Sequence, residues 1–398
     1  MGTAALPAIT EMQACCACGG DLETMLDLPH LPLTGRYGEA SPTAAALAQG
    51  FDQSLGYCPR CTHLQLGRFL DGGFLYGASY AFRTAGSQTA SAATRHFRDW
   101  LLTLLPAGRC DTLIEFGCND TTLLQTLADV ARQRIGIDPI LAHTTNLPDD
   151  ITTLAVGIED VDLHQFGADG PDLILCQHTL EHMADPDGLL RHLRSQAGKQ
   201  TIFAFEFPCA DLLIAQQRFD QVFHQHLQYF SCRSIAGLLE RHGFELIDFT
   251  FNASHWGVLL LAFRVGRGGC EPLRQSQPRL DRPRIERAQA LFRSQMQACA
   301  TLLDATELPL YGFGAGQMLP VLDYHLGGAA RRCAAIIDDA PARQGQWYGN
   351  LPLAIQSAAG VDFPGSAFLI TAVDSRRVIA ARLAALGAGR IISPFLSL

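Results

Sequence analysis

The sequence predicts an α/β protein of three units: a cysteine-rich module, a doubly wound nucleotide-binding sheet and a second α/β domain of Rossmann type. Three observations carry that prediction. Two CxxC pairs, Cys15-Cys16-Ala17-Cys18 and Cys58-Pro59-Arg60-Cys61, open the chain. A strand–turn–helix–strand pattern runs from Asp111 to Asp138. A strand and glycine turn recur at Pro309-Leu310-Tyr311-Gly312-Phe313-Gly314-Ala315-Gly316.

Composition sets the frame. A chain of 398 residues is too long for one core. With 48% hydrophobic and 17% charged residues it reads as soluble and globular. The 39 acidic residues outnumber the 30 basic ones, for a net charge of −9. That balance argues against nucleic acid or an anionic membrane as the main partner. No apolar run approaches the ~20 residues needed to span a bilayer, and the first residues lack a secretory pattern. The 13 cysteines are odd in number and scattered, which fits a reducing cytoplasm better than a disulfide framework.

In the first unit each CxxC spacing lets two thiolates face one ion across a tight turn. Four thiolates from Cys15, Cys18, Cys58 and Cys61 suit tetrahedral zinc in a closed structural site. A redox pair or unligated thiols are the alternatives. The stretch LYGASYAFRTAGS, with Tyr76, Tyr80, Phe82 and Arg83, reads as the exit from this module. Ser91 to Leu105 then has helical spacing, with Phe97, Trp100, Leu101 and Leu104 on one face.

The second unit opens with the strand Thr112–Phe116, the turn Gly117-Cys118-Asn119-Asp120, a helix expected over Thr121–Ala131, and the strand Arg134–Asp138. This is the first half of a doubly wound sheet. The phosphate fingerprint G-x-G-x-x-G is absent. In its place stand Glu115, Gly117 and Asn119 in an ExGxND turn, with Asp138 ending the second strand. That set suits adenosine without phosphate: Asp138 can accept from both ribose hydroxyls while the Gly117 turn approaches an amino-acid part. The arrangement resembles a class I S-adenosylmethionine methyltransferase; another nucleotide is the alternative. A further strand, Pro171–Gln177, leads to His178 and His182, placing Gln177 and His178 at the cofactor wall and His182 as a candidate acid or base. The strand Thr201–Phe207 and a helix over Cys209–Gln217 bring the chain to Phe219–Ser231, FDQVFHQHLQYFS. His224 and His226 flank Gln225 among aromatics there, at the carboxyl edge of the sheet. Two imidazoles, with a usual pKa of ~6.5, suit proton transfer near neutral pH.

Taken in order, CxxC…CxxC, EFGCND, GIDP, LEHMADP, FEFP and FDQVFHQHLQYFS resemble the sugar C-methyltransferases of deoxysugar pathways over nearly the whole chain. The resemblance implies a zinc-binding N-terminal module (residues 1–85), a class I methyltransferase domain (86–267) and a C-terminal Rossmann-like domain (284–398). The Gly266–Pro283 stretch is read as a linker. The resemblance further implies methyl transfer from S-adenosylmethionine to C3 of a nucleotide-linked 4-keto-6-deoxysugar, in the cytoplasm. By position His226 matches the family's general base and His182 a histidine on the opposite wall. An aromatic from the N-terminal module falls on Tyr80, with Tyr76 next.

Several positions depart from the family. Phe223 and Gln225 replace a tyrosine and a glutamate, so a phenol and a carboxylate are lost together. Thr121 replaces a glycine, Trp256 is expected to narrow the acceptor pocket, and a lysine near Gln317 is missing. The cofactor side is therefore kept while the acceptor side is rebuilt. A different acceptor, O-methylation or a non-methylating rearrangement stands as the alternative function.

Overall fold

The computed structural model describes residues 7–76, 84–105, 108–167, 170–252 and 257–395. The N-terminal module is built on an antiparallel sheet of β1 (Glu23–Pro32), β2 (Gly50–Tyr57) and β3 (Leu64–Leu66). The central unit follows an entry helix α1 (Gln88–Leu104) with seven strands: β4 (Cys110–Phe116), β5 (Ala131–Ile137), β6 (Thr152–Leu154), β7 (Leu173–Gln177), β8 (Ile202–Pro208), β10 (Phe244–Asn252) and β11 (Val258–Val265). Between β8 and β10 the chain forms the two-residue strand β9 (Gln228–Tyr229).

The central sheet runs β10-β11-β8-β7-β4-β5-β6, with β11 alone antiparallel. Its middle strands are apolar on both faces, as a sheet covered by helices requires. In β8, Phe203, Phe205 and Phe207 alternate with Ala204 and Glu206, and all five are buried. The order reverses between β4 and β7, which opens a crevice at their carboxyl ends. Helix α2 is shorter than the pattern suggested, Thr122–Thr126 instead of Thr121–Ala131. The Leu124 carbonyl accepts from Arg134 on β5, and Ala131 already pairs with Cys110 as strand. The chain thus has to turn back within four residues of the helix end.

The C-terminal domain is a parallel sheet, in the order Ile355–Gln356, Ile336–Ile337, Leu310–Phe313, Ala367–Ile370, Arg390–Ile392. It is joined to the central unit through the helix Arg282–Asp304, which Asp281 caps and Pro283 starts. Its buried residues Ile285, Ala288, Phe292, Met296, Cys299 and Leu303 recur at helical spacing. The stretch read as a linker is not a bare one. It carries the helix Glu271–Gln275, and Cys270 and Leu273 pack into the central core. Apolar residues at i and i+3 gave a buried stripe that the surrounding Gly, Arg and Pro residues masked.

The segment Phe219–Ser231 is buried throughout. Phe219, Val222, Phe223 and Tyr229 share one core with Leu28, Leu55 and Leu64 of the N-terminal module and with Leu319, Leu351 and Leu353 of the C-terminal domain. Strand β9 pairs with β3, so the module's sheet is completed by the segment itself. Arg218 at its entry is buried and donates to Asp220 and to Asp374 of the C-terminal domain, each at 2.8–2.9 Å. Tyr37–Gly38 and Trp347–Tyr348 form a further ladder between the outer two units.

Candidate active site

Two adjoining cavities occupy the crevice, and both are lined by Gly117, Asn119, His178 and His182. The first adds Glu115, Gln177, Glu181, Phe223, Gln225 and His226, with Thr34 from the N-terminal module and Gln317 from the C-terminal domain. The second adds Tyr76, Asp138, Ile140, Ile158 and Glu159.

The turn after β4 explains its own sequence. Gly117 has φ +68°, and a Cβ there would lie 1.9 Å from Thr179 Oγ1, so only glycine brings the chain this close to the β7 turn. Asn119 and Thr121 are also left-handed, at φ +49° and +60°. Thr121 therefore holds the conformation for which glycine is the easier choice, at a cost of ~1–2 kcal/mol. Asp138 fixes the turn: Oδ2 accepts from the Asn119 N–H at 2.9 Å and Oδ1 from the Ile140 N–H at 3.0 Å. A carboxylate oxygen can accept more than one hydrogen bond, which suits a ribose hydroxyl. Glu115 is buried, and burial followed by repulsion from Asp138 pushes its carboxyl well above the usual range. Its Oε2 has no hydrogen-bond partner. A buried oxygen of this kind suits the ammonium group of an amino-acid ligand. These residues fit S-adenosylmethionine.

At the end of β7, Gln177 Oε1 accepts from Thr94 and its Nε2 donates to Glu206, which locks the amide against the wall. His178, at φ +51°, sets Nδ1 3.2 Å from Glu181 Oε1. Burial opposes its charge, but Glu181 and Glu206 outweigh burial and raise its pKa. His182 Nδ1 lies 2.6 Å from the Gln225 carbonyl and 2.9 Å from the Tyr76 hydroxyl. A carbonyl only accepts, so Nδ1 carries a proton and Nε2 is left for a ligand. His226 lies against His182, with ring centroids 5.0 Å apart, and against Phe223 at 4.2 Å. Burial and then His182 hold its pKa well below the usual value, with Glu181 acting in the opposite direction. Burial thus favours the neutral ring.

The expected residues do not all converge. His224, a candidate for proton chemistry, faces away from both cavities: Nε2 donates to the Leu31 carbonyl at 3.0 Å, Nδ1 faces Gln53, and the ring meets Phe51 edge-on. In an extended strand residues i and i+2 share a face, but this segment turns, with the His226 N–H bonded to the Phe223 carbonyl. The two imidazoles therefore diverge. Gln225 does line the cavity, where Oε1 accepts from Thr34. Tyr80 and Trp256 lie outside the described residues; Tyr76, the second choice, reaches His182. Glu181 was not singled out, although LEH places it beside His182. Its side chain is 1% exposed and its Oε1 is 4.0 Å from His226 Nε2.

In the N-terminal module, the sulfurs of Cys15, Cys18, Cys58 and Cys61 lie within 4.8 Å of one another, with the Cys15–Cys61 and Cys18–Cys58 pairs at 3.6 Å. Four sulfurs at ~2.3 Å from a tetrahedral zinc would be ~3.8 Å apart. A Cβ on Gly20 would press on the sulfurs of Cys18 and Cys58 at 3.3 Å.

Residues 89–248 match a family described as a methyltransferase domain. The central domain has the class I S-adenosylmethionine methyltransferase fold. The chain is 23% identical over 263 residues to the C-methyltransferase NovU of Streptomyces niveus, an alignment covering 64% of this chain and 61% of NovU. Solved structures similar to the methyltransferase domain include an S-adenosylmethionine-dependent methyltransferase from Mesorhizobium loti (15% identity, 46% of this chain and 100% of that one, TM-score 0.36). The N-methyltransferase NodS of Bradyrhizobium japonicum, in complex with S-adenosyl-L-homocysteine, is another (14% identity, 45% and 88%, TM-score 0.35). Among the described residues no helix is long and apolar enough to cross a membrane.

Proposed function

We propose that the protein is an S-adenosylmethionine-dependent C-methyltransferase acting on a nucleotide-linked keto-deoxysugar, with His226 as the base. The observation that carries this reading is the buried His226 imidazole lining a cavity bounded by the Gly117–Asn119 turn. The match to a C-methyltransferase supports transfer to carbon, and the sequence motifs support the sugar.

S-adenosylmethionine would supply a methyl group on a sulfonium. Glu115 and the Gly117–Asn119 turn would hold its amino-acid part, and Asp138 its ribose. Gln177 and His178 would wall the site. On the acceptor, a C4 ketone acidifies the C3–H bond. His226 would take that proton, the electron pair would enter the enolate, and the carbon would form the new bond to the methyl group as the S–CH3 bond breaks and its electron pair stays on the sulfur, leaving S-adenosylhomocysteine. His182, held at Nδ1 by the Gln225 carbonyl, would face the C4 oxygen with Nε2. Enclosure on three sides favours positioning of both reactants, and a donor at the developing oxyanion lowers the barrier. Cys15, Cys18, Cys58 and Cys61 would hold a structural zinc that fixes the sheet on which the segment is seated.

The test is calorimetric titration with S-adenosylhomocysteine, followed by mass spectrometry of incubations with S-adenosylmethionine and a panel of 4-keto-sugar nucleotides. Binding and a product heavier by one methylene are expected. Binding without any methylated product would overturn the sugar assignment and favour the altered chemistry that Phe223 and Gln225 suggest. No binding would remove the enzyme reading.

A further inference from the structure

We infer that Glu181 is the positioning carboxylate of His226, supplying from the opposite wall the negative charge that Gln225 does not carry. The inference rests on methyl transfer with His226 as base.

Proton transfer from the acceptor leaves a positive imidazolium in a site where the His226 side chain is 4% exposed. An unpaired buried charge is costly, so an anion has to stand within reach. The segment's one carboxylate, Asp220, is engaged by Arg218; Phe223 and Tyr229 flank His226, and Gln225 is neutral and engaged with Thr34. The β7 turn presents His178, His182 and Glu181, β8 presents Glu206, and the N-terminal module presents Tyr76. Glu206 is spoken for by Gln177 and acts on His178. Glu181 is the carboxylate placed against the His226 ring, with Oε1 4.0 Å from Nε2.

Glu181 is also prepared for the task. Oε1 already meets His178, which orients the group, while Oε2 is buried and lacks a hydrogen-bond partner. Burial would neutralise such a carboxyl, but the bond from His178 and the neighbouring imidazoles hold it down at about 2, so it stays ionised. An approach of ~1 Å would convert the 4.0 Å separation into a charge-assisted hydrogen bond. The proton remains on His226 throughout; Glu181 balances its charge and holds the ring.

The decisive experiment compares Glu181→Gln with Glu181→Gln/Gln225→Glu. The single variant should lose at least about tenfold in single-turnover methyl transfer while S-adenosylhomocysteine affinity stays within about twofold. Its His226 ring, followed by NMR, should titrate at a lower pH than in the wild type. The double variant should regain most of the lost rate, because its new carboxylate enters from the position next to the base. Glu181→Asp, which keeps the charge and withdraws it by one methylene, should fall between. An unmoved His226 titration together with no recovery in the double variant would overturn the inference and leave Glu181 a structural residue. A wild type inactive on every keto-sugar nucleotide would instead fail the proposed function, and the NMR titration would still judge the pairing.

Discussion

Protonating His224 should weaken the fold without touching the chemistry, and the structure sets the size of the effect. Burial lowers the pKa of this imidazole from 6.5 to about 4, only partly opposed by its bond to Leu31. The unfolded chain therefore takes up the proton first. The stability contributed by neutral His224 is complete above about pH 6.5 and is lost as the pH falls toward about 4. At about 1.36 kcal/mol per unit, the loss reaches about 2 kcal/mol at pH 5 and about 3.4 kcal/mol at its limit. Buried carboxyls raised by burial, among them Glu115, Glu206 and Asp323, act in the opposite sense, so a difference between variants is the clean measure. His224→Gln keeps a donor for Leu31 and removes the titration. Urea unfolding of both proteins should show the variant gaining about 2 kcal/mol on the wild type between about pH 7.5 and pH 5. Turnover at neutral pH should change by no more than about threefold. A variant-to-wild-type difference independent of pH would refute the assignment. Lost turnover in a well-folded variant would return His224 to the chemistry.

Other expectations follow from the same geometry. Gly117→Ala should weaken S-adenosylhomocysteine binding by more than about tenfold, measured by calorimetry, since its Cβ would collide with Thr179. Strong chelation should release a single zinc per chain and lower the melting temperature, and Cys58→Ser should purify with little metal; a metal-free wild type of unchanged stability would refute the zinc site. Arg218→Ala should cost ~3–5 kcal/mol by stranding buried Asp220, and should depress turnover more than cofactor affinity.

Local patterns made part of this architecture legible. The strand–turn–strand from β4 to Asp138 announced itself because a short apolar run, a glycine and a terminal acid are adjacent in sequence. The cysteine pairs were legible for the same reason, as was Gln225 as a departure. What escaped were features made by distant partners. Strand β9 is two residues long, and its existence depends on Leu64 and Gln65 lying beside it. The divergence of His224 from His226 comes from a turn that carries neither glycine nor proline. Glu181 gains its meaning from His226, 45 positions away, and Asp374 from Arg218, in the preceding domain. Side-chain period reports which face is buried, not what is on the other side of it.

The strip from Phe219 to Ser231 is a keystone. The Gln225 carbonyl beside His226 accepts from His182 in the central domain, the strip's register is set by the module's sheet, and its entry is anchored by an arginine to the C-terminal domain. Under the proposed mechanism, cofactor capture and acceptor activation have different owners: the crevice at β4 and β5 belongs to one domain, and His226 belongs to the junction of three. A central domain cut free of its neighbours would keep the means to hold a methyl donor and lose the means to use it. Inherited change is constrained along the same line. Arg218, which meets Asp220 and Asp374, and Gln228, which meets His63 and the Met183 carbonyl, are each tied to partners in neighbouring elements and cannot be exchanged alone.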